Sequence, residues 1–506
     1  MAPADGAGAE NPDIRGYIYN NVGRGLLFVS QLFLFAAMLA FANEAAGCQT
    51  LGDACAADGG GAVLLNATAT GASAGDDGGG CGRVWGLRPA ALVAQVLTLG
   101  ALVSAVLMPV AGSIVDHSPY RRELGMASLV VCWCCSAAQV GISRHTWQAL
   151  LLLQGSVAVA AYLVNVVCAM AYMAELTSDF ADEMIRINGR ARVLEMGSMF
   201  AYMVVVAALD AFFFGVKDTA RVAQLLSCLV GGPLAMYSWR LLTPRAAMHE
   251  LPAGTSLLTA GFVKVGETAA MLRHEYPTLF VFLAAFMISE AGTGAIVGLV
   301  VIYVSQQLCQ PVGPVLVLAV VATVPGAILS KKLARGGRAK QALCGVLAVF
   351  VVAIVSVALF CYSPDHGARI PIFAVILGMA LGFVYPAQRN VVAQLIPGGL
   401  EGRVMGVYQF CSSFLTWVPS LLFSAIYELT GSMRGGLACV AIFHGVSLVV
   451  VVTKLDMRRG LDEVRATLGR RRHSATFLAD GGTVAKVDPG LALDAPPPPP
   501  AACPNP

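Results

Sequence analysis

A chain of 506 residues is long enough for several soluble domains, yet 57% of it is hydrophobic and only 12% charged, with a mean hydropathy of +0.71. A soluble protein of this size has no core able to bury that much apolar surface. The formal net charge of +3, with basic residues scattered between apolar runs, excludes a nucleic-acid surface as the organising feature and leaves an integral membrane protein in contact with the lipid bilayer.

The chain begins polar (Ala2-Pro-Ala-Asp-Gly6), with neither a basic n-region nor a small-residue cleavage site, so no cleaved signal peptide is expected. Runs of about 18 or more mostly apolar residues give six spans, over 26–46, 89–115, 124–142, 146–174, 193–215 and 219–242. A polar stretch, 243–276, holds Arg245, Lys264, Glu267 and Arg273 and reads as a linker. Six further spans follow, over 277–304, 312–329, 342–361, 370–393, 404–426 and 435–452. The expected fold is all-α, with twelve transmembrane helices in two six-helix bundles, 12–242 and 277–453. An N-terminal tail (1–11), a long loop (47–88) and a C-terminal tail (454–506) flank them. An even number of spans puts both termini on one side. If that side is cytosolic, the opposite loops hold only seven of the 33 basic residues, which is the distribution the positive-inside rule requires.

The 47–88 loop is then exoplasmic or lumenal. It is rich in Gly, Ala and Asp and carries Cys48, Cys55 and Cys81, which allow one disulfide with a thiol left over but do not reveal its pairing. Asn66-Ala-Thr68 matches the glycosylation acceptor on the correct side. Gly71-Ala-Ser73-Ala-Gly75 has the spelling of a hydrolase nucleophile elbow. A Gly/Ala tract supplies neither its strand-to-helix turn nor a His and acid partner, so no enzyme is expected. Cys132-Trp-Cys134-Cys135 reads as small buried hydrophobes, and no metal site is expected there. Gly292-Thr-Gly294 lies inside an apolar helix with no strand before it, so no dinucleotide or other cofactor is expected. Gly294, Gly298, Gly378 and Gly382 read as small residues that let helices approach. The tail reads as cytosolic and disordered, with Arg470-Arg-Arg-His-Ser474 either a kinase site or a solvated basic patch.

Gly112-Ser-Ile-Val-Asp116 with Arg121-Arg122, between the second and third spans, resembles the loop signature of the major facilitator superfamily, its basic pair one position late. Gly326-Ala-Ile-Leu-Ser330-Lys331-Lys332 repeats it at the matching place of the second half, as an internal repeat requires. The resemblance implies that Asp116 faces the positive N-terminal end of the eleventh helix, near Gly402-Arg403, and latches that side. A narrower set is similar to the autophagy-related vacuole effluxer family. It comprises Arg15-Gly-Tyr-Ile-Tyr-Asn20, Ala171-Tyr-Met-Ala-Glu-Leu176, Tyr385-Pro-Ala-Gln-Arg-Asn390, Gly402 to Tyr408 and Thr430-Gly-Ser-Met-Arg-Gly-Gly-Leu437. Asn20 stands where that family commonly has Asp, and Ser289-Glu290-Ala-Gly-Thr293 shortens its acid-Gly-x-x-Thr pattern. The superfamily resemblance puts both places on the central cavity.

A carrier needs polar groups near the bilayer midplane, and an acid there costs several kcal/mol unless it faces water or a partner. Glu290, near the middle of the seventh span, is the first candidate, as a proton carrier or a structural acid. Arg24 is a substrate-carboxylate hook if its helix begins near Pro12, and an interfacial anchor if the helix begins at Arg24, which is the simpler reading. Arg389 pairs with Glu290 or Glu175, or reaches to water. Tyr162, Asn165, Tyr202 and Trp417 either line the cavity or pack between helices. The chain therefore reads as a secondary transporter of a small-molecule substrate. Resemblance to the vacuole effluxers implies export of amino acids from a vacuole or lysosome-like compartment, with proton symport as the coupling. The alternatives are a plasma-membrane carrier for drugs, organic anions or sugars, and a nontransporting sensor or scaffold.

Overall fold

The computed structural model describes residues 11–47, 82–175, 180–213, 215–247, 251, 256–333, 337–397 and 400–466. Cys48, Cys55, Asn66, Cys81 and Ser474 lie outside these residues.

The first helix, α1, spans Pro12–Ala45 and starts well before the apolar run that marks it in sequence. Asn11 accepts the Asp13 N–H at 3.0 Å, Pro12 takes the first helical position and Asp13 meets the positive end of the dipole. The remaining spans of the first half are α2 (Pro89–His117), α3 (Arg121–Gln139), α4 (Trp147–Tyr172), α5 (Phe180–Phe213) and α6 (Val216–Leu241). Those of the second half are α7 (Pro277–Gln306), α8 (Val312–Leu333), α9 (Ala339–Phe360), α10 (Ile370–Leu395), α11 (Arg403–Thr430) and α12 (Met433–Lys454). Among the described residues, eleven helices are long and apolar enough to cross a membrane. The twelfth, α3, falls outside that set because Arg121, Arg122 and Glu123 occupy its first turn. It fills the third place of the bundle all the same, packed on α4 and α6.

Two spans widen locally into π-turns, α4 at Gln154–Ala158 and α6 at Ser227–Gly231. The first presents Gln154 to α3, where the Gln139 amide donates to it at 2.6 Å. Gln139 in turn accepts from Gln31 of α1 at 3.4 Å, a polar seam that holds the first half together inside the bilayer.

The second half is welded by glycine. A Cβ at Gly326 of α8 would strike the Met379 carbonyl, and Cβ atoms at Gly378 and Gly382 of α10 would strike the Ala319 and Thr323 carbonyls. The two backbones touch along the whole seam, as the small-residue reading of Gly378 and Gly382 expects. Gly294 and Gly298 meet Thr416 and Leu97. Of the cysteine cluster, Cys132 and Cys135 are buried, whereas Cys134 is exposed on the outer side of α3.

The face where α1 begins and α12 ends is termed the terminal face. There Asp13 accepts from the Thr243 N–H and hydroxyl at 2.8 and 3.0 Å and pairs with Arg245 at 2.8 Å, closing the first half on itself. The linker is not a polar strap alone. Its Leu257–Glu275 segment is a helix whose Gly261 presses against the Pro109 carbonyl of α2, two turns inside that span, with Leu258 and Phe262 exposed beside it. The first stretch of the tail is also ordered. Residues 457–466 are helical, and Glu463 accepts from the Thr278 hydroxyl at 3.1 Å at the start of α7. Such a carboxylate is what the unsatisfied first turn of a helix attracts.

Hydrogen bonds between the two halves gather at the opposite face. Glu428, near the end of α11, accepts the Arg88 backbone N–H at 2.6 Å and an Arg83 guanidinium N–H at 3.1 Å. The Arg88 side chain donates to the Tyr427 carbonyl at 3.1 Å and lies over the Tyr427 ring. One turn deeper, Ser424 joins Gln95 at 3.1 Å and the Ala91 carbonyl at 3.3 Å. The protein stands closed on that face.

Candidate functional site

The start of α1 at Pro12 decides the position of Arg24, which lies three turns inside the helix and is 5% exposed. It is no interfacial anchor. Its guanidinium donates to Asn21 at 2.7 Å, lies over the Tyr162 ring at 5.7 Å, and stands 4.0 Å from Glu195 of α5. Glu195 is buried and accepts from Arg192 at 2.8 Å, so one carboxylate serves two guanidinium groups. Phe28, one turn beyond Arg24, stacks on Tyr162 at 5.4 Å and is 43% exposed, an aromatic wall beside the charges.

The facing wall comes from the second half. Glu290 of α7 is 8% exposed, and its neighbours are Gln388 and Arg389 of α10. The Gln388 amide donates to Ser289 at 3.2 Å. Tyr385, one turn before Arg389, is about a third exposed and lies in the fields of Glu290 and Arg389 and, from the first half, of Arg192. Tyr408 of α11 stacks on Phe286 at 4.1 Å and lies in the fields of Arg389 and Glu290. Tyr17 feels Arg24, Arg192 and Arg389 together. Charged and aromatic groups of both halves thus converge on one space between them. Several of their polar atoms have no partner, namely Arg24 Nε, Glu290 Oε2 and Gln388 Oε1. A buried polar atom without a partner costs about 1–3 kcal/mol, so a cluster of them marks a place where a ligand or water belongs.

The sequence candidates divide clearly against this geometry. Arg24, Tyr162, Glu290 and Arg389 come together around the cavity. Arg24 and Glu290 do not form a pair, since Arg24 answers to Glu195 and Glu290 to Gln388 and Arg389. Glu175, the other partner considered for Arg389, has a side chain outside the described residues. Asn20 is fully buried, on the helical stripe of Gly16 and Gly23, which press on Ser238 and Ala235 of α6, and both polar atoms of its amide lack a hydrogen-bond partner. Asn165 donates to the Gly125 carbonyl of α3 at 2.9 Å, and the Tyr202 hydroxyl donates to the Ala223 carbonyl of α6. Both are helix-to-helix ties. Trp417, half-buried, opens the second segment of α11 after a break at Leu415-Thr416, beside Gly294.

Arg192 and Glu195 were within reach of sequence reasoning. Glu195 lies inside the fifth apolar run, 193–215, and the rule that singles out Glu290 applies to it equally. Tyr385 and Tyr408 carry no such signal, because an aromatic in an apolar helix has no need of a function.

The loop signature has a partner beyond those that the resemblance implies. Asp116 pairs with Lys264 of the linker helix at 2.8 Å. Arg122 donates to the Trp239 and Arg240 carbonyls at 3.1 and 3.4 Å, neutralising the negative end of α6. Arg121 is buried over the Tyr172 ring at 5.5 Å and donates to the Val115 carbonyl. Gly112 has open space where a Cβ would stand. Asp116 and Lys264 are each about a third exposed, so a double-mutant cycle with Asp116→Asn and Lys264→Gln should return a coupling of roughly 0.5–1 kcal/mol in thermal unfolding. Additive effects of the two changes would show that the pair is not formed.

Comparison with known proteins adds the lineage. A family model described as "Vacuole effluxer Atg22 like" matches residues 85–465, well over half of the chain. Autophagy-related protein 22 of Cryptococcus neoformans var. neoformans serotype D (strain B-3501A) is 24% identical over 235 residues, 42% of this chain and 42% of that protein. Among solved structures, the fold is shared with the E. coli xylose transporter XylE in its inward open conformation, at TM-score 0.56 and 12% identity, over 89% of this chain and 98% of that one. The human organic anion transporter MFSD10 (TETRAN) superposes at TM-score 0.55 and 13% identity, over 88% and 100%. The nucleoside transporter NupG gives TM-score 0.52 and 13% identity, over 88% and 99%. The chain has the major facilitator fold and belongs to the Atg22-like vacuole effluxer family.

Proposed function

We propose that the chain is an alternating-access carrier that moves small polar solutes, amino acids among them, out of a vacuole into the cytosol together with protons. The terminal face is then cytosolic, in keeping with the basic residues that crowd its loops. The observation that carries the reading is the convergence of Arg24, Arg192 and Glu195 from one half with Glu290, Arg389 and Tyr385 from the other, several of their polar atoms unpartnered, inside the span of a membrane. A scaffold has no use for such a cost. A rocking carrier needs the site on the line where its halves meet. Glu290, with one oxygen unpartnered, is the group that takes up and releases the proton.

Uptake of a panel of labelled amino acids into proteoliposomes with an imposed pH gradient tests this directly. The expected result is accumulation that collapses with the gradient, and flat traces for every solute would refute it. In Glu290→Gln, gradient-driven accumulation should fall about tenfold or more while solute-for-solute exchange persists, because a coupling free energy is lost and the pathway is kept. Undiminished accumulation in that variant would remove Glu290 from the coupling.

A further inference from the structure

Of the charged groups in the cavity, Glu195 has the least ordinary position. It is a buried carboxylate between two guanidinium groups, bonded to one and only near the other. Its Arg192 contact is 2.8 Å, while its Arg24 contact, 4.0 Å, is beyond hydrogen-bond length. Arg24 gives one N–H to Asn21, and its Nε, buried, has no acceptor. The Arg192 side chain is 41% exposed although its charge reaches Tyr385 of the other half, so it opens onto the space between the halves. Two planar forks therefore face one space with a single internal carboxylate between them. A fork takes a carboxylate by two parallel N–H···O bonds, which a hydroxyl or an amide cannot reproduce. Beside the forks stands an apolar wall, the Phe28–Tyr162 stack.

We propose that Arg24 and Arg192 clamp the carboxylate of the transported solute, that Glu195 is the resident counter-ion which shares or yields Arg192 when the solute arrives, and that Phe28 and Tyr162 receive an apolar or aromatic body attached to that carboxylate. The proposal rests on the carrier reading above. It goes further by making the carboxylate, and not the amine, the group that is recognised. Solutes without an amine but with a carboxylate on an apolar body then bind, and solutes with the amine and no carboxylate do not. The internal counter-ion also explains how a buried guanidinium, Arg24, and a half-exposed one, Arg192, stand on either side of the same carboxylate. Glu195 does not touch the solute and acts as a positioning residue for Arg192.

The full chain in phosphatidylcholine vesicles, which contain no lipid carboxylate, carries the test. Exchange of labelled L-phenylalanine is challenged with 3-phenylpropionate, phenylalaninol and phenylalaninamide, and thermal stabilisation of the detergent-solubilised chain by the same four compounds is read in parallel. The acid without the amine should compete and stabilise as phenylalanine does. The alcohol and the amide should be weaker by about 10-fold or more, the worth of hydrogen bonds to a charged group. In Arg192→Gln, the discrimination between acid and alcohol should shrink to about threefold or less, and Arg192→Lys should recover part of it, a graded outcome that misfolding does not give. Glu195→Gln should keep the discrimination while changing affinity for all carboxylates together. Equal potency of the alcohol and the acid, or full discrimination in a folded Arg192→Gln, overturns the clamp. Stabilisation by carboxylates without exchange leaves the clamp standing and refutes the carrier. Exchange of the amide with no preference for acids does the reverse, and neither binding nor exchange refutes both.

Discussion

Gly382→Ala should lower the apparent Tm of the protein by roughly 4–8 °C, and Gly382→Leu should prevent the second half from folding. The α8–α10 seam leaves no room for a Cβ at this position, because the Thr323 backbone carbonyl already occupies it, and a backbone cannot swing aside as a side chain does. Overpacking of this kind costs about 2 kcal/mol, and a half of this size loses a few degrees per kcal/mol. The same Ala at Gly112, which faces open space, should shift the Tm by no more than about 1 °C. Thermal unfolding of the purified variants checks both expectations. Equal shifts at the two glycines would mean that the seam is looser than described.

Glu428→Gln should open the face on which the molecule is closed. The carboxylate draws on the first half through the Arg88 backbone N–H at 2.6 Å and the Arg83 side chain at 3.1 Å, and it sits at the positive end of α2. Removing its charge halves the attraction and leaves the geometry in place. The Arg83 side chain is 42% exposed, so screening limits the loss to about 1–2 kcal/mol, or a roughly 5- to 30-fold shift in population toward the state open on that face. A cysteine at Ser424→Cys, which lies in the contact with Gln95 and Ala91, reports the change. Its labelling by an impermeant maleimide from that side should accelerate by this factor in the Glu428→Gln background. Arg83→Gln should produce a smaller effect than Glu428→Gln, since it weakens one of the two contacts and leaves the carboxylate charge at the Arg88 N–H in place. Unchanged labelling in both would show that other contacts hold the face shut.

What could be read beforehand follows the physics of each feature. The spans were legible because a bilayer imposes length and apolarity on every helix independently of its neighbours. Glu290 was legible for the same reason, being conspicuous against its own run. The position of Arg24 was also encoded locally, in Asn11-Pro12-Asp13, but these residues start a helix before its apolar stretch begins, and a hydropathy window passes over them. Asp116 shows the limit. Its residue type and loop place were right, yet its partner Lys264 belongs to a linker that looked merely polar, and pairing across such a distance in the chain leaves no mark on either neighbourhood. Asn165 and Tyr202 illustrate the converse, polar side chains in mid-span that serve helix contacts through backbone carbonyls and no ligand.

The two fastenings at the terminal face have one more implication. Asp13 pins the start of the described chain to Thr243 and Arg245, directly after the last helix of the first half, and Glu463 pins its last turns to Thr278, within the second. The two ends of the described residues are therefore tied to different halves. Their separation is a built-in gauge of how far that mouth is open, so a dye pair placed at Asn11 and Ala466 reads the stroke of a single working molecule without touching any residue of the cavity.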